Sequence, residues 1–278
     1  MDLTFQTERL TPRVTRISAF NTELMYLVEG EKLAALLDTG SGFGSLRACV
    51  EELTERSVIV LLTHGHTDHA LGAAEFDQVY MNPLDEEVYA KHSTMGFRAR
   101  SGDMWPGFRH LRGDQILPAM PFEAMRPLRS GDMFDLGGIS VECLACPGHT
   151  PGSLAMLIPE ERMLLLGDAC NDRTFLFDEF ASSVEAYRAA LTGLDERTAG
   201  RYDRVLLSHG DGEGTPDMIR RVIEVCDDIL AGRSDDVPFA FLDDIGLLAK
   251  ACGPDGIRLD GGRGNIVYAD ARKRIGKE

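Results

Sequence analysis

The sequence has no long apolar run and no excess of positive charge. No uncharged apolar segment of the 278-residue chain approaches the roughly 18 residues that a transmembrane helix needs. Asp and Glu number 45 against 29 Lys and Arg, which gives a formal net charge of −16. A chain this acidic lacks the basic surface of a nucleic-acid-binding protein, and it is poorly matched to an anionic membrane. We therefore expect a small-molecule substrate, with no nucleic-acid or membrane partner.

The amino terminus and the cysteines are typical of a cytoplasmic protein. The first residues lack the basic region followed by an apolar stretch that marks a signal peptide. The six cysteines are scattered and do not form the pattern of a disulfide framework. Cys143 and Cys146 have the spacing of a redox or zinc pair. They lie in a strand-like run, however, where residues three positions apart face opposite sides, so we favour two separately buried residues.

Short apolar runs and helical patterns alternate along the chain. Predicted strands occupy residues 24–28, 33–37 and 57–62. The last is continuous and β-branched, as in a strand buried on both faces. A helix is predicted over 46–53, short strands over 125–170, and two later helices from the capping segment 182–185 and from Thr215-Pro216. This order predicts a layered α/β or α+β architecture, organised as one domain over residues 1–278.

The histidines are concentrated in one short segment. The chain has only seven of them, and three lie in the segment Thr63-His64-Gly65-His66-Thr67-Asp68-His69. The segment directly follows the buried strand, and strand ends that open into loops are where α/β folds place their sites. Neutral imidazole and carboxylate are ligands that zinc and iron prefer, and Gly65 permits a tight turn. We interpret the segment as a metal-binding loop rather than a solvated polar loop.

Three further potential ligands also follow strand-like runs. His149 lies in a turn bounded by Pro and Gly, Asp168 follows the apolar run 164–166, and His209 follows the run 205–207. Each position alone is weak evidence. Because the same design recurs, an apolar strand that ends in a potential ligand, we expect these side chains to meet at one site.

From the loop Asp38-Thr39-Gly40 to His209-Gly210, these motifs resemble the metallo-β-lactamase-fold hydrolases. The resemblance implies an α+β fold, a four-layer αββα sandwich, with a two-metal site at one edge of the sheets. It implies that the first ion is held by His64, His66 and His149. It implies that the second ion is held by Asp68, His69 and His209, and that both are bridged by Asp168.

The identities of these ligands narrow the branch of the superfamily. His66 stands where the oxygen-reducing flavodiiron branch has Glu, and Asp168 stands where β-lactamases with a cysteine ligand have Cys. The site therefore resembles the glyoxalase II, lactonase and phosphodiesterase group. The tyrosine that lactonases carry shortly after the bridging Asp is absent from residues 169–173. The basic glutathione-binding residues of glyoxalase II are not evident in this sequence. The net charge of −16 fits a tRNA-processing phosphodiesterase poorly, because tRNA is itself an anion. The subfamily therefore stays open.

The expected activity is that of a binuclear metal-dependent hydrolase. Two divalent ions roughly 3.5–4 Å apart share a bridging water and lower its pKa, and the hydroxide attacks a carbonyl or phosphoryl centre. We expect two transition-metal ions and favour zinc. Iron and manganese stay possible, because they accept the same ligands. Asp68 is the predicted catalytic residue, because besides binding metal it can steer a proton to the leaving group. The expected substrate is a small ester, thioester, lactone or phosphodiester.

Two other functions and two local roles stay open. The first alternative is a mononuclear iron persulfide dioxygenase, which shares the fold and much of the motif. The second is a non-enzymatic binding protein, against which the intact ligand set argues, because such a protein does not need seven metal ligands. Asp38 either orients a ligand histidine or caps a turn. The segment 93–124, which contains Trp105, is either a substrate-covering insertion or an ordinary packed excursion. His92 and His110, in or beside this segment, are expected to be non-ligands.

Overall fold

The structure, a computed structural model, describes residues 3–102, 111, 113–242 and 244–273. The strands are β1 (Gln6–Arg9), β2 (Val14–Ser18), β3 (Leu24–Glu29), β4 (Ala34–Leu37), β5 (Val58–Leu61), β6 (Val79–Met81), β7 (Arg126–Pro127), β8 (Met133–Asp135), β9 (Ser140–Ala145), β10 (Leu154–Ile158), β11 (Met163–Leu165), β12 (Thr174–Leu176), β13 (Arg204–Leu206), β14 (Glu213–Gly214), β15 (Val237–Phe241), β16 (Asp244–Leu248) and β17 (Ile266–Tyr268). The α-helices are α1 (Leu46–Leu53), α2 (Thr67–Ala70), α3 (Glu86–His92), α4 (Met95–Gly102), α5 (Val184–Thr198) and α6 (Met218–Leu230).

The strands form three sheets. The first has the order β1-β2-β3-β4-β5-β6-β7, antiparallel up to β4 and parallel from β4 onward. The second has the order β14-β13-β11-β10-β9-β8. In it β9 and β11 both pair antiparallel with β10, and β11 pairs parallel with β13. The strands β9, β11 and β13 therefore run in one direction and end at the same edge.

The two large sheets pack face to face, because their strands are apolar on both sides. In β3, Tyr26 and Val28 lie in the core between the sheets, whereas Met25 and Leu27 pack against α1–α3 and the short turn after α2. The outer face of the second sheet packs against α5 and α6 in the same way. The order of layers is helix, sheet, sheet, helix, which confirms the predicted αββα sandwich.

Local details of the prediction are partly confirmed. Cys143 faces the core between the sheets and Cys146 the core under α5 and α6, and both are buried free thiols, so they form no redox pair. Helix α5 begins as predicted, with the Ser183 hydroxyl accepting the N–H of Ala186. The predicted start of α6 at Thr215 is wrong. The helix begins at Met218, because residues 215–217 form a turn closed by a bond from the Met218 N–H to the Thr215 carbonyl.

A third sheet was not predicted. It has the order β12-β17-β16-β15, and its parallel pair joins residues 174–176 to residues 266–268. Among the described residues, helices long and apolar enough to cross a membrane are absent.

Candidate metal centre

The histidine loop is folded tightly after β5. Its Gly65 lies so close to the start of α3 that a Cβ atom here would be 3.1 Å from both the Asp85 carbonyl oxygen and the Tyr89 nitrogen. The loop runs directly into α2, which carries Asp68 and His69. The glycine thus lets the loop pack directly against the start of α3, where a side chain would not fit without a shift of the backbone.

The structure brings all seven predicted ligands together at the edge where β9, β11 and β13 end. They form two groups, and within each group the potential ligand atoms lie within 4.8 Å of one another. The first group is His64, His66 and His149. The second group is Asp68, His69, Asp168 and His209. The division is the one that the resemblance implied, with Asp168 placed in the second group.

Four of the predicted ligand histidines present a buried nitrogen that makes no hydrogen bond within the described ranges, as does the Nδ1 atom of His92 outside the ligand set. The four ligand nitrogens are the Nε2 atoms of His64, His66, His69 and His149. A buried polar atom without a partner is costly, and native structures avoid it unless an ion or water binds there. The donor set therefore fits divalent metal ions.

The opposite ring nitrogens are fixed by hydrogen bonds. The Nδ1 atom of His149 lies 2.9 Å from the Phe175 carbonyl oxygen, and that of His64 lies 3.0 Å from the Thr63 hydroxyl. The Nδ1–H of His69 donates to Asp38 Oδ2 at 2.9 Å. Such bonds set the ring orientation and leave Nε2 free to bind metal.

The orienting role of Asp38 is confirmed by these contacts. Besides the bond from His69, its carboxylate accepts the N–H and the hydroxyl of Thr63 at 2.7 and 2.8 Å. Asp38 is buried and has a left-handed backbone with φ of 62°. It connects the end of β4 to the metal-binding loop.

The Asp168 carboxylate faces both groups. Its Oδ2 atom lies 3.2 Å from His209 Nε2 and 3.5 Å from His69 Nε2, and it lies 3.9 Å from His149 Nε2 in the first group. The other oxygen, Oδ1, accepts a hydrogen bond from Asn171 at 3.1 Å. One oxygen is thus held toward both groups while the other is anchored.

The two ligand groups differ in the protonation state of their side chains. Burial, with neighbouring histidines, lowers the pKa values of His64 and His66 well below the usual range, so both are neutral near pH 7. Burial also acts to lower the pKa of His209, but Asp168 and Asp68 outweigh it and raise that pKa to about 9. Although burial opposes it, His209 and His69 hold the pKa of Asp168 well below its usual range. A cation that binds the second group therefore displaces protons.

Asp85 holds two of the ligand loops together, and sequence reasoning missed it. It is buried at the start of α3. Its Oδ2 accepts the N–H of Gly65 and the hydroxyl of Thr150, both at 2.8 Å, and its Oδ1 accepts the N–H of Gly152 at 2.6 Å. The carboxylate therefore ties the His64–His66 loop to the turn that carries His149.

The two groups open into a cavity of about 420 Å³. His66, Asp68, His149, Asp168 and His209 line it on one side. Its other lining residues include the partly buried phenylalanines Phe175, Phe177 and Phe241, from β12, the residue after it and β15. The sequence carried no signal for these, since the third sheet was not predicted.

His92 also lines this cavity and lies outside both groups, as expected. Its ring stacks on that of His66, with centroids 4.3 Å apart and planes at 12°. Of the segment 93–124, Phe97 in α4 lines the cavity beside His92. Trp105 and His110 lie outside the described residues, so the covering role of this segment stays a prediction.

Sequence comparisons agree with this geometry. A model of the metallo-beta-lactamase superfamily matches residues 20–209. Hydroxyacylglutathione hydrolase GloC of Haemophilus influenzae is 29% identical over 153 residues, which cover 55% of this chain and 68% of that protein. Acyl-coenzyme A thioesterase MBLAC2 of Homo sapiens is 24% identical over 221 residues, which cover 72% of this chain and 77% of that protein.

Solved structures show the same fold. A metallo-beta-lactamase from Pontibacter korlensis superposes with a TM-score of 0.58 at 15% identity, over 80% of this chain and 98% of that one. The sec-alkylsulfatase Pisa1 from Pseudomonas superposes with a TM-score of 0.63 at 15% identity, over 82% of this chain and 43% of that one. At this identity the structures establish the architecture alone.

Proposed function

The chain belongs to the metallo-beta-lactamase superfamily, and from this premise we propose that it hydrolyses acyl thioesters or esters with two metal ions. The superfamily and the hydrolytic relatives make it a metal-dependent hydrolase. Family membership leaves the number of bound ions and the substrate open, and these two points are what we propose.

One observation carries the proposal of two ions. Four buried Nε2 atoms lack partners in the described part of the chain and fall into both groups. One carboxylate oxygen, Asp168 Oδ2, lies within 3.9 Å of a histidine from each group. A single-ion site would leave the three-histidine group or the Asp–His group without a function.

The residues have distinct roles in this proposal. His64, His66 and His149 would hold one ion, and Asp68, His69 and His209 would hold the other, with the Asp168 carboxylate facing both groups. When bound, two such ions supply Lewis acidity and activate water for attack on a carbonyl or phosphoryl centre. Asp68 lines the cavity, so its carboxylate is placed to pass a proton to the leaving group. Asp38 and Asn171 keep the ligands of the second group in position.

A thioester is the preferred substrate class, because one relative is named an acyl-coenzyme A thioesterase and the other a hydroxyacylglutathione hydrolase. Esters follow from the same carbonyl chemistry, and lactones and phosphodiesters are the next classes to assay. Zinc is the proposed metal, since imidazole and carboxylate suit it, and iron and manganese accept the same ligands. A cytoplasmic location, a single domain and the absence of nucleic-acid and membrane partners stay predictions.

The test is hydrolysis by protein that has been stripped with a chelator and reloaded with zinc, iron or manganese. We expect thioester or ester hydrolysis that is lost on stripping and restored on reloading. The exposed Asp77 gives a matched control, because Asp77→Asn changes a carboxylate that belongs to neither ligand group and does not line the cavity. Failure of every metal form on thioesters, esters, lactones and phosphodiesters would refute the proposal.

The alternative of a mononuclear iron persulfide dioxygenase makes different predictions. It requires one iron per chain and consumption of oxygen when a persulfide is supplied. An oxygen electrode with the iron-loaded protein separates the two functions, and we expect no oxygen uptake.

A further inference from the structure

The cavity beside the metal ligands has an aromatic wall, defined here as Phe175, Phe177 and Phe241. Their ring centroids are 5.0 Å apart for Phe175 and Phe177, and 4.7 Å apart for Phe175 and Phe241. All three rings line the cavity and are only partly buried. Phe239, on the same face of β15 as Phe241, supports the wall from behind, with its ring 5.8 Å from that of Phe175.

The aromatic wall is tied directly to the metal-binding residues. The Phe175 carbonyl oxygen lies 2.9 Å from Nδ1 of His149, so β12 both orients a ligand and supplies a ring to the wall. Phe241 comes from β15, which lies beyond the residues 20–209 that match the superfamily. The wall is therefore partly built from a segment outside the residues that match the superfamily model.

The partly exposed rings of the aromatic wall favour a ligand with an apolar group. Three adjoining rings that line a cavity next to polar ligands form a contiguous apolar surface, which commonly marks a binding site. Phenylalanine offers a large apolar area and no hydrogen-bonding group. An aliphatic or aromatic chain packed on these rings removes apolar area from water on both sides, whereas a small polar acyl group does not.

Arg173 supplies a cation at the same cavity. It directly precedes β12, lines the cavity, and places its guanidinium 5.2 Å from the centre of the Phe239 ring. Among the described residues, Arg173 has no ion-pair partner, and the carboxylate of the neighbouring Asp172 pairs with Arg263 instead. The cavity's lysine, Lys91, is paired with Glu179 at 2.5 Å. Arg173 is thus the cation best placed to receive an anionic group.

We infer that the substrate is an acyl thioester or ester whose acyl group is an apolar chain packed on the aromatic wall, and whose leaving arm carries an anion that binds Arg173. This inference rests on the proposed function, because it places the scissile carbonyl beside the metal ligands. It adds a substrate class that the shared fold does not specify. The anion is a phosphate or a carboxylate, and the experiment distinguishes the two.

The test measures binding of thioethers, which cannot be hydrolysed, to the zinc-loaded protein by calorimetry. S-ethyl and S-octyl derivatives of coenzyme A differ by six methylene groups. Because part of the longer chain leaves water, we expect the S-octyl compound to bind ~100-fold more tightly. Phe241→Ala and Phe177→Ala are each expected to lower this ratio to ~10-fold. Ile245→Ala, an exposed position on β16 of the same sheet, is the matched control and keeps the ratio.

The anionic arm is tested with three S-octyl compounds that share one chain. Coenzyme A carries phosphates, glutathione carries carboxylates, and N-acetylcysteamine is neutral. We expect one of the two anionic compounds to bind about tenfold more tightly than the neutral one, and Arg173→Gln to abolish that difference. The compound that loses affinity identifies the anion.

Equal binding of the S-ethyl and S-octyl compounds, or a ratio that neither phenylalanine variant changes, would overturn the acyl-chain inference. An Arg173→Gln protein with unchanged affinities would overturn the anionic arm. Hydrolysis of acetyl and octanoyl thioesters is followed in separate samples of the same preparations. Absence of turnover by every metal form of the wild type on all four substrate classes contradicts the proposed function, whereas the thioether affinities test the aromatic wall independently of turnover.

Discussion

Replacement of Asp85 tests whether a residue outside the ligand set controls the metal site. The buried carboxylate accepts three hydrogen bonds, from the Gly65 N–H, the Thr150 hydroxyl and the Gly152 N–H. Asp85→Asn keeps the size but offers only one oxygen, so its NH₂ group must face at least one of these donors. One or two buried donors then lose their acceptor, at about 1–3 kcal/mol each.

The expected result is a loss of about 2–4 kcal/mol in the free energy of unfolding, which lowers Tm by roughly 4–10 °C in a chain of this size. Because the loop of His64 and His66 is no longer tied to the turn of His149, affinity for the first ion should fall about 10–100-fold. Differential scanning calorimetry and metal titration against a chelating dye measure the two effects. Asp77→Asn, at an exposed site, is the control.

The reasoning is refuted if Asp85→Asn has the Tm and the metal affinity of the wild type. A lower Tm with unchanged affinity would show that Asp85 stabilises the fold without positioning ligands. The two measurements therefore separate a structural role from a positioning role.

Three further predictions concern the site. Asp168→Asn removes the charge and one anionic oxygen, so turnover should fall by several orders of magnitude, roughly 10³-fold or more. The second ion should bind more weakly, and the circular dichroism spectrum should stay unchanged. Normal turnover with both ions bound would exclude Asp168 as the bridge. Asp38→Asn leaves one oxygen for three donors, so affinity for the second ion should fall about 10–100-fold in a metal titration, and wild-type affinity would contradict the orienting role. If the segment 93–124 covers the site, Trp105 fluorescence should change when a product saturates the protein, and a constant signal would argue against a cover.

The ligand set could be predicted from the sequence because the signal is local. The ligands lie in loops and a short helix shortly after apolar runs, and the strands that these runs form end at one edge of the sandwich. Three histidines and an aspartate within one short segment are uncommon enough to indicate a metal. A layered architecture was predictable for a similar reason, since strands buried on both faces are continuously apolar, whereas the αββα order came from the resemblance to the metallo-β-lactamase fold.

The residues that depend on long-range contacts could not be predicted with the same clarity. The sequence left two roles open for Asp38, orienting a ligand histidine or capping a turn, and the choice between them rests on a contact with His69, 31 positions away. Asp85 lies in an ordinary Asn-Pro-Leu-Asp turn, yet its partners Thr150 and Gly152 are more than 60 positions away. Local patterns carry no information about such partners.

The third sheet was missed for two physical reasons. Its strands β12 and β17 have three residues each, too few to show a period, and they pair across about 90 positions. In β15, Pro238 weakens the strand pattern, although proline is tolerated at the edge of a sheet. The aromatic wall, which depends on this sheet, was therefore invisible in the sequence.

The number of metal ions per chain tests the central claim most directly. Protein purified without chelators is to be measured by elemental analysis together with its concentration by amino-acid analysis. Two groups of ligands that share Asp168 predict close to two transition-metal ions per chain, and His66→Ala should retain fewer. A fully active protein that holds one ion per chain, or none, would contradict the binuclear site.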